Sequence, residues 1–305
     1  MGGTENPLTS GVRTPDEKWF PRAVLPAGEP RLWVFCFPGA GMEASVYTGV
    51  GTSLSPMPNP LCEFAQKEGI GVLGVQLPFR GLRRKEEHPK TIQQSAKLAL
   101  QAMRPLIEKK GGTPYMLVGY SMGAWIAYEV LCLLQQYHLA PPVHFVAVAM
   151  VSPDLPIHLR PWKRTASLDT QGFQVRFSGD QLRAWNCNEI LFQKDMWAVY
   201  EPLLRADHNM LDEYKYTDLQ KPLNVPISVF RGDRDKQLAD VSLFSGWFNL
   251  LRHQNTSSNS NTSSNTVVSI PGDHGLVFNA ADRAAFFNKV VEVLDSVLLG
   301  IEYGQ

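Results

Sequence analysis

The sequence predicts an α/β fold: an open, mostly parallel sheet flanked by helices, with a helical cap inserted between two strands. Two observations carry this. Short apolar, β-branched runs recur along the chain, each closed by a turn signal, and helical patterns lie between several of them. Strands alternating with helices build βαβ units, and near-continuous apolarity suits strands buried on both faces of a parallel sheet.

Residues 1–30 are rich in Pro, Gly and charge and read as an N-terminal arm, leaving 31–305 as a single domain. The strand-like runs are Leu32–Phe37, Gly71–Gln76, Tyr115–Tyr120, His144–Val151, Pro226–Arg231 and Thr266–Ile270. Helical patterns cover Thr91–Lys109, Met122–Gln136 and Val241–Leu251. Three segments break the rhythm. Residues 49–61 are Pro-, Gly- and Ser-rich and read as a loop insertion. Residues 153–224 carry Phe173, Trp185, Phe192, Trp197 and Tyr200, which is too apolar for a linker. They read as a mostly helical cap over about 155–220. Residues 254–266 are almost pure Asn, Ser and Thr, a tract that cannot bury enough surface to offset its ordering entropy and reads as a mobile loop. The sequons at Asn255 and Asn261 in that tract read as chance matches. No internal repeat is visible.

The 305 residues carry 29 basic and 29 acidic side chains. That balance gives no electrostatic reason to expect nucleic acid or an anionic membrane as partner. Cys36, Cys62, Cys132 and Cys187 show no CxxC spacing; Cys36 and Cys132 sit in apolar runs as small core hydrophobes, which favours a reducing compartment. The N-terminus lacks the apolar region of a secretory signal, and no apolar stretch approaches the ~18 residues that span a membrane. Gly2 fits a myristoylation signal poorly, with Pro7 close behind it and no second anchor. The expectation is an intracellular, cytoplasmic monomer with no stable membrane insertion, an organelle such as a plastid staying open.

Chemistry concentrates in three places. Gly119-Tyr120-Ser121-Met122-Gly123 matches G-x-S-x-G, with the run Tyr115–Val118 before it and the helical pattern after it. A nucleophile there sits in a strained conformation on a strand-to-helix turn, and small neighbours let the chain segments pass closely. Ser121 needs a base. Of seven histidines, His274 stands in Pro271-Gly-Asp-His-Gly275, directly after the strand Thr266–Ile270. His144 lies inside a strand and reads as structural; His88, His138, His158, His208 and His253 fall in helical or loop contexts. The acid that orients the imidazole is expected in Gly232-Asp-Arg-Asp235, after the strand Pro226–Arg231. Asp235 is favoured because it lies past the turn. Asp233, whose other role is an Asx turn, and Asp154, after the strand His144–Val151, stay open as alternatives.

The chain order Ser…acid…His is that of the α/β-hydrolase fold, and all three groups follow strand C-termini, where open α/β sheets build their sites. An oxyanion needs two N–H donors. The expected ones are the backbone of Met122 and of Ala40, in the loop Phe37-Pro-Gly-Ala-Gly-Met42. No zinc spacing, phosphate loop or dinucleotide fingerprint is present, so neither metal nor cofactor is expected.

Several segments are not generic to this fold. They are Phe35-Cys-Phe-Pro-Gly-Ala-Gly41 with Ala44-Ser-Val-Tyr47, Val75-Gln-Leu-Pro-Phe-Arg-Gly-Leu-Arg83, Leu203-Leu-Arg-Ala-Asp207 and Leu211-Asp-Glu-Tyr-Lys-Tyr216. With Gly119–Ala124, Pro226–Asp235 and Pro271–His274 they span about residues 32–280. On these the chain resembles the type II thioesterases that accompany polyketide, nonribosomal-peptide and fatty-acid synthases. The resemblance implies hydrolysis of acyl groups from the phosphopantetheine arm of an acyl or peptidyl carrier protein, which comes in trans, through an acyl-serine. It also implies a cap that shapes the acyl chamber. Tyr120 departs from the His often found there, and Met42 and Phe79 replace usual glycines. Residue chemistry alone leaves open a carboxylesterase or lipase acting on oxyesters, or an acyltransferase, with the same triad. A binding module that merely kept the fold would have no use for the nucleophile.

Overall fold

The protein is described by a computed structural model covering residues 14–51, 57–108, 112–176, 193–219, 222–251 and 266–304. Among these, the strands are β1 (Leu32–Phe37), β2 (Ile70–Gly74), β3 (Tyr115–Tyr120), β4 (His144–Val148), β5 (Ile227–Gly232) and β6 (Val267–Ile270). They form one sheet in the order β2-β1-β3-β4-β5-β6, every pair parallel. The Leu-Trp-Val-Phe-Cys-Phe run of β1 is buried throughout, with Val34 opposite Val72 on one side and Met116 on the other. Between β1 and β3 the chain order reverses across the sheet, and such a switch point opens a crevice at the strand C-termini.

The helices are α1 (Ser45–Thr48), α2 (Pro60–Glu68), α3 (Ile92–Ile107), α4 (Met122–Gln136), α5 (Thr170–Arg176), α6 (Lys194–Glu213), α7 (Gly246–Leu250) and α8 (Ala280–Tyr303). Two packed pairs, α3 with α4 and α2 with α8, flank the sheet. Local chemistry sets the ends. Thr91 accepts the Gln94 N–H at 3.0 Å and opens α3. Asn279 caps α8 through the N–H groups of Ala281 and Asp282. Gly69, at φ 69°, closes α2 in the left-handed region that favours glycine. Residues before β1 lie on the body: Phe20 is buried beside Phe35, and Val24 pairs with Val72 along the outer edge of β2.

Most elements fall where the sequence predicts them, with differences at the ends. β4 stops at Val148, where the chain turns at Ala149 with φ 51°, although the Ala149 N–H still donates to the Phe230 carbonyl at 2.8 Å. The loop expected over 49–61 ends two residues early: Asn59 accepts the Cys62 N–H at 3.1 Å and Pro60 takes the first helical turn of α2. The helix expected over Val241–Leu251 divides into a 3₁₀ turn, Val241–Phe244, and α7. Between β4 and β5 the expected cap contributes α5 and α6, which share a small core of Phe173, Trp197 and Leu204. Trp185, Phe192, Cys187, the two sequons and all of the Asn/Ser/Thr tract except Thr266 lie outside the described residues. Among the described residues no helix is long and apolar enough to cross a membrane.

Candidate active site

The turn between β3 and α4 is forced by close approaches. A β-carbon on residue 119 would lie 2.5 Å from Cα of Ala124, and one on residue 123 would lie 2.1 Å from the Phe37 carbonyl oxygen. Only glycine lets α4 start this near β1 and β3. Ser121 between them sits at φ 51°, ψ −127°, a conformation a non-glycine residue holds only when its surroundings impose it. Its N–H donates to the Val148 carbonyl at 2.8 Å, anchoring the strained residue to the end of β4.

Ser121 Oγ lies 3.1 Å from Nε2 of His274, and Nδ1 of the same ring lies 2.8 Å from Oδ2 of Asp235. All three side chains are buried, Asp235 almost fully. The second Asp235 oxygen accepts the N–H groups of Gln237 at 3.1 Å and Leu238 at 3.2 Å. Burial pushes the Asp235 carboxyl up, but the His274 hydrogen bond and charge, with those two amides, outweigh it and hold it below the usual carboxylate range. An ionised carboxylate therefore faces the imidazole. The other two acids are engaged elsewhere. Asp233 accepts the Gly272 N–H at 2.9 Å, tying the β5 loop to the β6 loop, and Asp154 accepts the Ser152 hydroxyl. The Tyr120 hydroxyl donates to the His274 carbonyl, so the residue before the serine fastens the loop that carries the imidazole.

Ala40 follows β1 directly and, with Met42 and Tyr120, borders the cleft that holds Ser121 and His274. Gly39 lies against the serine: a β-carbon there would lie 3.2 Å from Ser121 Cβ. The nearby turn bonds run from Met42 N–H to the Gly39 carbonyl, 3.2 Å, and from Ala124 N–H to the Ser121 carbonyl, 2.8 Å. No backbone carbonyl among the described residues takes the N–H of Ala40 or of Met122. Ala40 thus lines, with Ser121 and His274, a cleft of about 780 Å³, and Met122 follows the serine at the start of α4.

The roof of the cleft is α6. Met196, Tyr200, Leu204 and His208 are spaced four apart and line it as one stripe. Trp197 turns away into the cap core, so the aromatic residues of α6 divide between lining and packing. His208 is buried at the same cleft as Ser121 and His274. Burial, only partly offset by Asp207, and the neighbouring His274 bring its imidazole down to about 4. Sequence reading set His208 and His88 aside because neither follows a strand; both reach the site region only through tertiary packing. His144 is the structural histidine expected, with Nε2 2.9 Å from the Ser228 hydroxyl. Among the described residues no group of three His, Cys, Asp or Glu side chains is arranged to hold a metal ion.

A second buried constellation joins the cap to this site. Arg80 forks onto Asp207 of α6 at 3.1 and 2.9 Å, with both side chains wholly buried. His88 Nε2 lies 2.8 Å from Asp207 Oδ1, and the Gly41 N–H donates to Oδ2 at 2.7 Å. Burial pushes the Asp207 carboxyl up, but Arg80 and His88 prevail and hold it at about 2. Arg80 and Asp207 belong to the Gln-Leu-Pro-Phe-Arg and Leu-Arg-Ala-Asp segments that set the sequence apart from generic hydrolases.

Comparison with known proteins gives the family. The chain is 29% identical over 270 residues to the gramicidin S biosynthesis protein GrsT of Aneurinibacillus migulanus, covering 86% of this chain and 89% of GrsT. It is 26% identical over 217 residues to the thioesterase PikA5 of Streptomyces venezuelae, covering 70% of this chain and 68% of PikA5. The RedJ thioesterase from the prodiginine biosynthetic pathway of Streptomyces coelicolor shares the fold, with a TM-score of 0.67 at 24% identity, over 88% of this chain and 93% of RedJ. The family model of the thioesterase domain matches residues 33–281, from β1 to the start of α8. With most of its length under that model, the chain belongs to the thioesterase domain family.

Proposed function

We propose that this protein hydrolyses acyl thioesters held on the phosphopantetheine arm of an acyl or peptidyl carrier protein, with Ser121, His274 and Asp235 as its catalytic triad. The observation that carries this is the unbroken line from Ser121 Oγ through His274 to Asp235, at 3.1 and 2.8 Å, opening on the capped cleft. Family membership and the relation to GrsT and PikA5 support the substrate class.

His274 Nε2 takes the Ser121 proton as Oγ bonds to the thioester carbonyl carbon. The carbonyl oxygen becomes an oxyanion held by the N–H groups of Ala40 and Met122, a pair whose loss costs on the order of 3 kcal/mol per donor. Collapse breaks the carbon–sulfur bond, and His274 returns its proton to the departing sulfur. Water, deprotonated by the same imidazole, then releases the acid and restores Ser121. Asp235 orients the ring and stabilises its charged form throughout. The enzyme acts on its carrier in trans, as a monomer. Cys36, Cys62 and Cys132 are buried free thiols, which suits the reducing interior of a cell.

The test is a hydrolysis profile across acyl-pantetheine and acyl-carrier thioesters of varied length, beside matched oxyesters. Thiol release by wild type and none by Ser121→Ala is expected, with thioesters turned over ahead of oxyesters. A preference for oxyesters across the series would transfer the chain to the esterase reading.

A further inference from the structure

The Gln76-Leu-Pro-Phe-Arg80 and Leu203–Asp207 segments contribute nothing to the triad, yet they converge on one loop. Residues 39–44 carry the Ala40 donor, and three polar contacts grip them. Asp207 accepts the Gly41 N–H at 2.7 Å, Arg80 donates to the Met42 carbonyl at 3.1 Å, and Gln76 accepts the Ala44 N–H at 2.8 Å. Gln76 also donates to the Arg80 carbonyl at 3.2 Å, joining the two grips. Apolar contact adds a fourth hold. Gly41 stands at φ 71°, and a β-carbon on it would lie 2.5 Å from Leu204 Cδ2, one helical turn before Asp207 on α6. The cap helix therefore holds the residue next to Ala40 by both backbone and side.

Each Asp207 oxygen takes two donors: Oδ1 those of Arg80 and His88, Oδ2 those of Arg80 and Gly41. Such a carboxylate is fixed in position and orientation. A wholly buried ion pair is a poor device for stability alone, because apolar residues of like volume serve as well or better. What apolar residues cannot do is hold a backbone N–H, and so the angle of the peptide beside it. We propose that Asp207, locked by Arg80, is a positioning residue that aims the Ala40 N–H at the developing oxyanion, so that seating of the cap and competence of the oxyanion pocket are one mechanical unit. This rests on the reading of Ser121 as nucleophile with Ala40 and Met122 as donors. Displacement of a catalytic group by about 1 Å can cost about a hundredfold in rate, so a loosened loop is expected to show in kcat while KM stays near wild type.

The experiment compares Asp207→Asn with wild type using two ligands. One is an alkylboronic acid, to whose boron Ser121 Oγ adds, placing a boron-bound oxygen in the oxyanion pocket. The other is an S-alkyl pantetheine thioether, which fills the cleft but has no carbonyl. A kcat for acyl-pantetheine hydrolysis and a boronate affinity that both fall about tenfold to a hundredfold, with thioether binding and KM near wild type, is the expected result. Unchanged kcat and boronate affinity overturns the proposal, and so does an equal loss for both ligands, which would make Asp207 a support of the cleft and nothing more. If Asp207→Asn fails to fold, Arg80→Met with Asp207→Leu removes the pair together and is read by the same criteria. A wild type that neither binds boronate nor reacts with a fluorophosphonate at Ser121 defeats the underlying triad, a result distinct from failure of the variant alone.

Discussion

The carbonyl of Phe37, at the end of β1, stands 2.1 Å from where a β-carbon of residue 123 would be. Gly123 is therefore the contact through which β1, carrying the loop with Ala40, meets the helix that carries Met122. Gly123→Ala is expected to push these two segments apart. It should lose about 1–3 kcal/mol of stability, as overpacked sites do, and lower kcat further than stability alone explains. Urea unfolding beside thioester hydrolysis checks both; a variant with wild-type midpoint and rate would refute the contact.

Asp235 is the carboxylate seated on the imidazole, at 2.8 Å from Nδ1. Asp235→Asn leaves the shape and removes the charge that favours the working tautomer, so kcat is expected to fall by about 10³–10⁴-fold. Asp233→Asn and Asp154→Asn should stay close to wild type. Parallel kinetics on the three variants decides among the three acids, and a severe loss in Asp154→Asn instead would move the acid to β4.

The sheet was legible because its strands are buried on both faces and so read as continuous apolar runs. Leu32–Phe37 and Tyr115–Tyr120 match the structure end to end. Ser121 and His274 were legible because each stands directly after such a run, beside glycines that only a tight turn requires. The end of β4 and all of α2 were not, since the first is set by the backbone of Ala149 and the second opens on the side chain of Asn59. Long α8, beyond the last strand, is a further helix that the expected elements left out. Asp207, Arg80, His88 and His208 were invisible as a group. Asp207 lies more than a hundred residues from Arg80 and His88, and the cap that brings them together carries no motif whose chemistry can be read locally.

His208 folds as a buried neutral imidazole at about 4, below the ordinary 6.5 of the unfolded chain. Between those values the unfolded state binds the extra proton, so stability rises with pH across the window and is lost on acidification through it. A shift of this size is worth up to about 3 kcal/mol. Urea unfolding from pH 7 to pH 4 should show a gentler decline for His208→Gln than for wild type. Identical slopes would mean that the imidazole does not resist protonation.

Arg283 of α8 is buried under Phe287 and donates to the carbonyls of Val46, Gly49, Met57 and Pro58, gathering the segment that borders the cleft. Arg283→Met keeps the apolar stem but leaves those acceptors unserved, at a cost of about 2–3 kcal/mol. Faster proteolysis at residues 46–51 and a KM that rises more than kcat falls are expected. Wild-type protease resistance would show that the segment holds itself.

Mixing excess acyl-pantetheine thioester with the enzyme, and following thiol release while trapping the protein for intact mass, addresses the acyl-serine itself. A transient adduct of the acyl mass located on Ser121, absent from Ser121→Ala together with all turnover, is the expected result. Sustained thioester hydrolysis by Ser121→Ala, with no adduct on the wild type, would contradict a mechanism built on this serine.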